Sequence, residues 1–466
     1  MGNLQSFLGS LKGKNIHLIG ATGAEGSSLL NLLLSSDIPN ITAHDFINAT
    51  ALEKNFKIWH KGLSVEQRNN LFHHFLKNLN RVEFNDSSSY LKGIENADCV
   101  FVPQSWRLYR ANNKLLNLKK RNIPFYSLMR LYLDFAPAKI VAVTGTVGKG
   151  SVAYLIYEIL KRSNKNVYFT GNETWRLQLA EKLVSMNSND YLVLEVSHRQ
   201  LLDGFTRAPS HLVFTNLYPN HLDEMGIADY YSHKLSLLKT QKTGDTAVLN
   251  YDNLILRKIA PTLKSTVMFF SRKNQQKNII SVQKIFKRLM SIKSNHYPEN
   301  ILAAVTLTLN AGLDSENIIK LLPAIPALTA RLEKVGRINN IDIYNDIKST
   351  TPWATLAAID KLPGRIILIM GGDCKGISQD KFVEKLLENN IICIALKSSM
   401  SLLLHKKYPK LKLIEKENLE QGIKYSLSIA KNNQSLLISP AAANFYTNFI
   451  KDKKSIRKII ASLSRK

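Results

Sequence analysis

Short apolar runs alternate with amphipathic stretches along the whole chain. Eight of these runs have the length and composition of buried strands, and they span residues 15–20, 99–103, 139–144, 191–196, 211–216, 247–250, 365–370 and 435–439. Several lead into a glycine-rich turn and then into a stretch with helical periodicity. This order is typical of parallel sheets with crossover helices, so the pattern predicts an α/β protein.

The length of the chain predicts more than one folding unit. A chain of 466 residues is too long for one core and corresponds to about three domains of roughly 150 residues each. Proline-containing joints lie at 136–138, just before a new strand, and at 323–328, just after a predicted helix. We therefore expect domains at residues 1–137, 138–326 and 327–466.

The chain is strongly basic, with 63 Lys and Arg against 36 Asp and Glu and a formal net charge of +27. Such an excess attracts polyanions, including nucleic acids, anionic lipids and phosphorylated metabolites. The lysines are spread along the length rather than concentrated in one motif, and the basic tail at 451–466 is typical of a solvated helix face. The charge therefore favours a basic surface over a nucleic-acid site.

Targeting and redox signals are missing from the sequence. Cys99, Cys374 and Cys393 form no CxxC pair and are too scattered for a zinc site or a disulfide framework, so we expect them to be reduced. No apolar run reaches the roughly 18 residues that cross a bilayer, and polar residues interrupt positions 1–20, where a signal peptide needs an apolar stretch. These features predict a cytoplasmic protein without membrane insertion.

A phosphate-binding loop is the strongest local signal. The strand at 139–144 runs into a turn with glycine and lysine, and a helix is predicted over 152–161. Small residues let backbone N–H groups face a polyphosphate, the helix N-terminus adds partial positive charge, and the lysine reaches the outer phosphate oxygens. The candidate nucleotide-binding residues are Gly145, Thr146, Gly148, Lys149, Gly150 and Ser151.

This loop differs from a standard Walker A motif at two positions. Val143 occupies the place of the first glycine, and Gly150 occupies the place of the metal-binding Ser or Thr. Ser151 and Thr174 are the candidates to supply the missing oxygen to a metal ion. The sequence still predicts a nucleoside triphosphate site, because the loop lies between a strand and a helix.

An acid and a histidine follow the next two predicted strands. Glu195 lies among apolar residues near the end of its strand, where an unpaired carboxylate would be costly and a metal would offset the cost. His221 follows the end of the neighbouring strand, at the edge where parallel sheets keep their sites. Together they are candidate ligands of Mg²⁺ beside the phosphates, although each also fits a purely structural role.

A second glycine-rich turn lies near the N-terminus. A strand leads into Gly20, Thr22 and Gly23, a helix follows, and Asp45 stands at the end of the next strand. This is the order of a dinucleotide-binding fingerprint, but the glycine spacing is Gly-xx-Gly-xx-Gly rather than Gly-x-Gly-xx-Gly. The turn therefore fits NAD(P) or any other pyrophosphate-containing ligand.

The motifs in this order resemble those of the Mur ligase family, and the resemblance covers nearly the whole chain. They are the phosphate loop, Leu-Glu-Val-Ser at 194–197, the Asn-to-Asp segment at 216–223, Lys234, Asn-Ile-Leu-Ala-Ala at 300–304, Arg-Leu-Glu at 331–333, Asn-Asp-Ile-Lys-Ser-Thr-Thr-Pro at 345–352, Gly-Gly-Asp-Cys-Lys-Gly at 371–376 and Ser-Pro-Ala-Ala-Ala at 439–443. Order and spacing are most similar to the members that add D-glutamate to UDP-N-acetylmuramoyl-L-alanine.

The resemblance implies three α/β domains and an ATP-dependent amide ligase of peptidoglycan precursor synthesis. The domains would be a Rossmann-like N-terminal domain for the UDP-sugar peptide, a central ATP-binding P-loop domain with a parallel sheet, and a C-terminal Rossmann-like domain for the incoming amino acid. The substrate carboxylate would attack the γ-phosphate of ATP, and the amine of the amino acid would displace the resulting acyl phosphate. We expect a monomer that needs ATP and Mg²⁺.

The resemblance also implies roles for individual residues. Lys149 and Lys348 would stabilise the transferring phosphoryl group, Glu195 and His221 would bind metal with Ser151 as a further candidate, and Lys234 would be carbamylated by CO₂ to help hold a second metal. The residues around ATP would be Asn300 at the adenine, Arg331 at the phosphates and Asp346 at the ribose. The residues around the substrates would be Gly20, Thr22, Gly23, Asp45, Asn172, Ser197, Gln200, Thr350, Lys375 and Asn444.

Several positions depart from the family pattern. Gly150, Asn220, Ala330 and Asn444 replace a hydroxyl residue, an acid, a histidine and a serine, respectively, and Ser-Trp-Arg at 105–107 replaces a Ser-Pro-Gly turn. Two alternatives therefore stay open. One is a related ligase with other substrates, such as a folate or polyglutamate ligase, and the other is a non-catalytic relative that binds a nucleotide or a nucleic acid.

Overall fold

The computed structural model describes residues 4–60, 62–172, 178–292, 296–326, 328–445 and 455–463. Three β-sheets follow one another along the chain, and helices cover them. The α/β prediction is confirmed. Each sheet lies inside one of the three predicted ranges, while the boundaries at 137 and 326 stay predictions. Among the described helices, none combines the length and the apolar character needed to span a bilayer.

The first sheet has five parallel strands in the order β3-β2-β1-β4-β5, the strand order of a dinucleotide-binding fold. Its strands are β1 (Ile16–Ile19), β2 (Ile41–His44), β3 (Glu83–Asn85), β4 (Cys99–Val102) and β5 (Phe125–Ser127). Its helices are α1 (Leu4–Leu11), α2 (Ala24–Ser35), α3 (Leu52–Trp59), α4 (Val65–Leu79), α5 (Asn113–Lys120) and α6 (Leu128–Phe135). The Rossmann-like architecture expected at the N-terminus is therefore present.

The middle sheet has six parallel strands in the order β11-β10-β9-β6-β8-β7. Its strands are β6 (Lys139–Thr144), β7 (Val167–Gly171), β8 (Tyr191–Glu195), β9 (His211–Phe214), β10 (Thr246–Asn250) and β11 (Thr266–Phe270). Its helices are α7 (Lys149–Arg162), α8 (Ile227–Thr240), α9 (Leu254–Ile259), α10 (Ile280–Ser291), α11 (Pro298–Asn310) and α12 (Ser315–Leu321). Strands β8 and β9 flank β6, so the ends of all three meet at the phosphate loop.

The third sheet has six strands in the order β12-β13-β17-β14-β15-β16, and the antiparallel pair β12–β13 makes it mixed. Its strands are β12 (Glu333–Ile338), β13 (Ile341–Asn345), β14 (Arg365–Met370), β15 (Ile392–Leu396), β16 (Leu413–Lys416) and β17 (Gln434–Ile438). Its described helices are α13 (Pro352–Lys361), α14 (Asp380–Glu388), α15 (Ser399–Lys407), α16 (Leu419–Ile429) and α17 (Ser455–Leu463).

Strand β6 shows why the middle sheet has apolar runs without a polar side. Ile140 and Ala142 point into one core, which continues into the first domain, whereas Val141 and Val143 point into a second core beneath α7 and α11. Successive side chains of a strand point to opposite faces, so a strand covered on both faces is apolar throughout. This double burial produces the uninterrupted run that identified the strand in the sequence.

A buried charge cluster joins the first and middle domains. Asp203 accepts hydrogen bonds from Arg107 at 2.6 and 3.1 Å, from the Trp106 indole at 3.2 Å and from Lys119 at 2.8 Å. These cations hold the pKa of the Asp203 carboxyl below its ordinary value, although burial alone would raise it. The Ser-Trp-Arg segment that departs from the family pattern is thus the anchor between these domains.

Candidate active site

The phosphate loop requires glycine at two positions. Gly145 has φ +139°, and a Cβ there would lie 2.1 Å from Oγ1 of Thr215. Gly148 has φ +87°, and its Cβ would lie 2.6 Å from Oδ1 of Asn300. Both conformations are left-handed and favour glycine. The backbone of the loop therefore packs directly against the end of β9 and against α11.

Hydrogen bonds from the segment after β9 fix the loop. Asn216 accepts from the Val147 N–H through its side chain at 2.8 Å and from the Thr146 N–H through its carbonyl at 2.9 Å. Thr215 donates to the Val147 carbonyl at 2.6 Å, and Lys149 donates to the Thr146 carbonyl at 3.1 Å. Helix α7 begins at Lys149, so its first-turn N–H groups lie next to this loop.

One cavity of about 240 Å³ collects most of the predicted catalytic residues. Its lining combines positively charged side chains, a buried acid, a histidine, and hydroxyl or amide groups. The predicted residues that line it are Thr146, Gly148, Lys149, Gly150, Asn172, Glu195, Ser197, His221, Lys234, Arg331, Lys348 and Thr350. Residues as far apart in the sequence as Thr146 and Thr350 thus share one site.

Glu195 supplies the carboxylate of this cavity. It ends β8, is 3% exposed, and accepts a hydrogen bond from the Asn172 side-chain amide at 3.2 Å. A buried carboxylate beside a phosphate loop is an oxygen donor of the kind that Mg²⁺ prefers. Glu195 and His221 both line this cavity, and together they offer an oxygen and a nitrogen donor that fit a divalent cation.

Lys234 lies behind the phosphate loop on α8. Its side chain is 1% exposed, and its Nζ donates to the Gly145 carbonyl at 2.7 Å and to the Thr144 hydroxyl at 3.4 Å. Burial, together with the nearby charge of Lys149, lowers the pKa of Lys234 well below its ordinary value, and Glu195 only partly opposes this. The side chain of Lys234 is therefore held directly behind the loop by these two hydrogen bonds.

His221 adopts a left-handed backbone conformation, which is uncommon for residues other than glycine. Its φ is +57°, and its Nδ1 lies 2.9 Å from Oε1 of Glu224. Burial lowers the pKa of the His221 imidazole, and Glu224 partly offsets that effect. Arg199 forms a two-point contact with the same carboxylate. Burial raises the pKa of Glu224, but the hydrogen bonds with His221 and Arg199 keep it well below its usual range.

A second cavity of about 350 Å³ adjoins the loop and is lined by Ser151, Asn300, Arg331 and Asp346. Its walls are more aromatic, because Tyr218 of the middle domain and Trp353 of the third domain face each other there with ring centroids 5.3 Å apart. Flat walls of this kind suit a nucleobase. Ser151 lies in this cavity and not among the described residues lining the Glu195 cavity.

Asp346 organises the loop that carries Arg331. Its Oδ1 accepts from the Leu332 N–H at 2.9 Å, and its Oδ2 accepts from the Ser439 hydroxyl at 2.8 Å. Burial raises the pKa of this carboxyl to about 6, although these hydrogen bonds and Arg331 lower it in part. One carboxylate oxygen thus holds the segment that carries Arg331, and the other holds Ser439 at the end of β17.

Ser197 and Gln200 lie at the contact between the first and middle domains. The Ser197 hydroxyl donates to the Gln104 side chain at 3.0 Å, and the Gln200 side chain accepts from the Ser197 N–H at 2.9 Å. The Gln104 N–H in turn donates to Glu25 at 2.7 Å. Burial raises the pKa of Glu25 to about 7, with Gln104 and Gln200 opposing the shift.

Residues of the N-terminal glycine turn donate hydrogen bonds to Asp45. Asp45 accepts hydrogen bonds from the Thr22 N–H at 3.0 Å and from the Thr22 hydroxyl at 2.5 Å, and Gly23 donates to the Gly20 carbonyl at 3.0 Å. Gly20 has φ +68°. Asp45 is buried, and burial raises its pKa. The four predicted residues are therefore one structural unit, separate from the two cavities.

Two predicted amino-acid-binding residues lie outside the described lining of both cavities. The Lys375 Nζ is 3.9 Å from Oε1 of Glu224, so it contacts the middle domain at the edge of the site. Asn444 is exposed and has φ +61°. Thr174, a candidate for metal binding, lies outside the described residues.

Sequence reasoning missed four side chains of the site. Glu224 and His198 contact or adjoin His221, and Tyr218 and Trp353 line the nucleotide cavity. His198 directly follows Ser197, and Trp353 directly follows the Thr-Thr-Pro motif. Their positions next to recognised motifs were the available signal, but their contacts depend on how separate segments meet in space.

Known proteins with similar sequences identify the family. A family model described as the Mur ligase middle domain matches residues 143–311. A UDP-N-acetylmuramoylalanine–D-glutamate ligase from Alkaliphilus metalliredigens is 31% identical over 370 residues, which are 75% of this chain and 80% of that protein. The chain belongs to the Mur ligase family. The resemblance inferred from the order of motifs, and with it the class of ATP-dependent ligase, is confirmed.

Further comparisons cover the full length of this Mur ligase. A UDP-N-acetylmuramoylalanine–D-glutamate ligase from Caldanaerobacter subterraneus is 28% identical over 98% of the chain and 100% of that protein. The solved structure of MurF from Acinetobacter baumannii superposes with a TM-score of 0.57 at 14% identity, covering 100% of this chain and 99% of that one. The shared fold therefore extends over all three sheets.

Proposed function

We propose that this Mur ligase uses ATP to join D-glutamate to UDP-N-acetylmuramoyl-L-alanine, in the synthesis of peptidoglycan precursors. The observation that carries the proposal is the cavity in which Lys149 and Glu195 of the middle domain meet Lys348 of the third. Relatives that match 75% and 98% of the chain are named for this reaction. A carboxylate brought beside a triphosphate in such a site is positioned for activation.

Fixed positive charge explains how this site would promote phosphoryl transfer. Negative charge spreads over the transferring phosphoryl oxygens, and its stabilisation by pre-positioned groups is usually the largest catalytic contribution. Lys149 lies at the start of α7, and Lys348 and Arg331 approach from the third domain. Mg²⁺ held by Glu195 and His221 would neutralise further charge on the phosphates.

The substrates would enter from the two outer domains. The first domain, with its turn at Gly20 and Asp45, would take the UDP portion, and Asn172 and Ser197 would face the acceptor peptide. Thr350 lines the reaction cavity, and Lys375 lies near it, so both are placed to receive the carboxylates of the amino acid. Because the reaction consumes ATP and UDP-linked sugars, we place it in the cytoplasm.

We also propose that Lys234 is carbamylated. The neutral Nζ attacks the carbon of CO₂, an N–C bond forms, one proton leaves to solvent, and a carbamate with one negative charge results. The lowered pKa of this buried amine favours the reaction, because only the unprotonated amine attacks CO₂. The carbamate would supply oxygen atoms at the back of the phosphate loop, where the unmodified amine now contacts Gly145.

Carbamylation predicts a dependence of activity on CO₂. At mildly acidic pH, where carbamates break down, activity should fall when CO₂ is removed and recover when bicarbonate is added. With ¹³C-bicarbonate, a carbamate NMR signal should appear in the wild type and in Lys239→Met, an exposed position on the same helix, but not in Lys234→Met. A signal that survives in Lys234→Met refutes the assignment.

A substrate panel tests the proposed function. ADP release should require both UDP-N-acetylmuramoyl-L-alanine and D-glutamate, and L-glutamate or an acceptor without the peptide should give only background. Folate with L-glutamate should also give background. ADP release with folate and not with the UDP-linked acceptor would overturn the proposal in favour of a polyglutamate ligase, and ADP release with neither would favour a non-catalytic relative.

A further inference from the structure

Helix α13 forms a wall of the nucleotide cavity from the side of the third domain. The residues of this helix that line the cavity are Trp353, Ala354, Leu356, Ala357 and Asp360. Their spacing places them along one face of the helix. The opposite wall belongs to the middle domain and includes Tyr218 and Asn300. The face of α13 is mostly small and aliphatic, so Trp353 contributes its large flat surface.

The Trp353 ring extends an aromatic surface that begins in the middle domain. Its centroid lies 5.3 Å from that of Tyr218, with 32° between the two ring planes, so the rings contact each other across the domain boundary. Phe270 and Tyr297 of the middle domain line the same cavity. A nucleobase gains free energy by stacking on such side chains, whereas a triphosphate has no flat face to offer. This lining therefore suits the base of a nucleotide rather than its phosphates.

Two polar atoms of these aromatic side chains have no hydrogen-bond partner among the described residues. They are the indole Nε1 of Trp353 and the hydroxyl oxygen of Tyr297, and both are buried. Buried N–H and O–H groups are normally paired, because leaving them unpaired is costly. Ring nitrogens of a base and hydroxyl groups of a ribose can accept hydrogen bonds from both. A nucleoside thus matches the polar atoms of this lining as well as its flat surfaces.

Trp353 is not the only contact between α13 and the middle domain. The Lys361 Nζ donates to the His296 carbonyl at 2.7 Å and lies 5.2 Å from the centre of the Tyr297 ring. Lys361 is not among the described residues that line the cavity. The same helix therefore offers one residue for domain contact alone and one residue that also faces the nucleotide.

We propose that Trp353 is a specificity-determining residue that stacks on the base of ATP and, together with Tyr218, selects purine over pyrimidine nucleotides. This role rests on the proposed function, since it concerns how ATP is held in the same cavity. A purine has a larger flat face than a pyrimidine and buries more apolar surface against the two rings. The third domain then recognises the base while the phosphate loop of the middle domain holds the triphosphate.

Nucleotide binding without acceptor or amino acid tests this role, so a failure of ligase chemistry leaves the result unaffected. Full-length protein with Mg²⁺ is titrated with ATP, CTP and inorganic triphosphate by calorimetry. Trp353→Ala should weaken ATP binding by about fivefold or more. It should also lower the preference for ATP over CTP and leave the affinity for triphosphate unchanged. Trp353→Phe, which keeps an aromatic ring, should retain most of that preference.

Two control variants separate base recognition from packing. Trp59→Ala removes a tryptophan of the first domain that is 39% exposed, and all three affinities should stay at the wild-type values. Lys361→Met removes the other contact of α13 and should keep the preference for ATP over CTP. Retained triphosphate binding shows that Trp353→Ala is folded.

Three results would overturn the proposed role of Trp353. The first is an unchanged affinity of Trp353→Ala for ATP. The second is an equal loss of affinity for ATP and triphosphate in this variant, which would assign Trp353 to domain packing. The third is a wild-type protein that binds ATP no more tightly than inorganic triphosphate, because the base would then contribute nothing.

Discussion

Lys149 is the residue on which nucleotide chemistry at this site most depends. It starts α7, contacts the Thr146 carbonyl, and lines the cavity together with Glu195. Other cations, Lys348 and Arg331, approach from a different domain. The loop therefore supplies one positive charge of its own, and the third domain, which lies against the loop, supplies two more.

Replacement of this lysine should abolish turnover. In Lys149→Ala, kcat should fall by at least ~100-fold, because the transferring phosphoryl group loses a pre-positioned charge. The measurement is substrate-dependent ADP release. Lys161→Ala, at an exposed position on the same helix, is the matched control and should be close to wild type. Near-normal ADP formation by Lys149→Ala would contradict the site.

Glu25 predicts a pH-dependent stability. The pKa of this buried acid is raised from 4.5 to about 7, so the folded protein holds the proton more tightly than the unfolded chain. Ionisation of Glu25 therefore lowers the free energy of unfolding of the protein as pH rises from about 4.5 to about 7. Glu25→Gln should stabilise the protein at pH 8 by on the order of 1–3 kcal/mol.

Urea unfolding at two pH values checks this prediction. The gain of Glu25→Gln over wild type should be present at pH 8 and should disappear near pH 4, where the acid is protonated in both states. Subtracting the wild-type curve removes the contribution of other titrating groups. A gain that is the same at both pH values would assign the effect to packing rather than to ionisation.

Individual site residues were predictable to different degrees. Glu195 and Lys149 stand out in sequence because an acid or a lysine follows an apolar strand. His198 does not, because its ring meets that of His221 only where two segments approach each other in space, and Glu224 does not, because its contact with the His221 ring depends on the path of a short turn. Asp346 was predicted at the nucleotide, and the structure also shows it holding Leu332 and Ser439.

At the scale of elements, the turn between β6 and α7 determines the site. The bounds of β6 agree with the predicted strand at 139–144, whereas α7 begins at Lys149, earlier than the predicted 152. The first helical residues include a lysine and a glycine, so the apolar periodicity did not extend to them. Gly148, with its left-handed backbone, precedes the helix and allows the abrupt change of direction.

A glycine pair tests the role of this turn. Gly145→Ala adds strain at φ +139° and a clash with Thr215, whereas Gly244→Ala adds strain at φ +96° in open space. Strain of this kind costs about 1–3 kcal/mol, and both variants should lose that stability in urea. Because of the added clash, Gly145→Ala should lose more stability than Gly244→Ala. It alone should also weaken ATP binding, measured by calorimetry. Equal effects on ATP affinity would contradict the proposed role of the loop.

At the scale of the whole molecule, the order of sheets was predictable, but their contacts were not. Strand runs and two proline-containing joints indicated three α/β units, and three sheets are present. The cluster of Trp106 and Arg107 around Asp203 was seen only as a departure from the family pattern. Such contacts join segments about a hundred residues apart and have no local signature.

The proposed reaction site lies between the middle and third domains. Middle and third domains together line the cavity that holds Glu195, Lys149 and Lys348, and we propose that a carboxylate is activated there as an acyl phosphate. When the amine then displaces phosphate from the acyl phosphate, the C–O bond breaks and one oxygen atom of the carboxylate leaves in inorganic phosphate. In a mechanism without an acyl phosphate, the oxygen that the carboxylate loses on amide formation leaves in water or in another product and not in inorganic phosphate.

Oxygen transfer measures this step directly. UDP-N-acetylmuramoyl-L-alanine labelled with ¹⁸O in its carboxylate is incubated with ATP and D-glutamate, and inorganic phosphate is analysed by mass spectrometry. We expect one ¹⁸O atom in phosphate for each amide bond formed. Amide formation with unlabelled phosphate would contradict activation through an acyl phosphate.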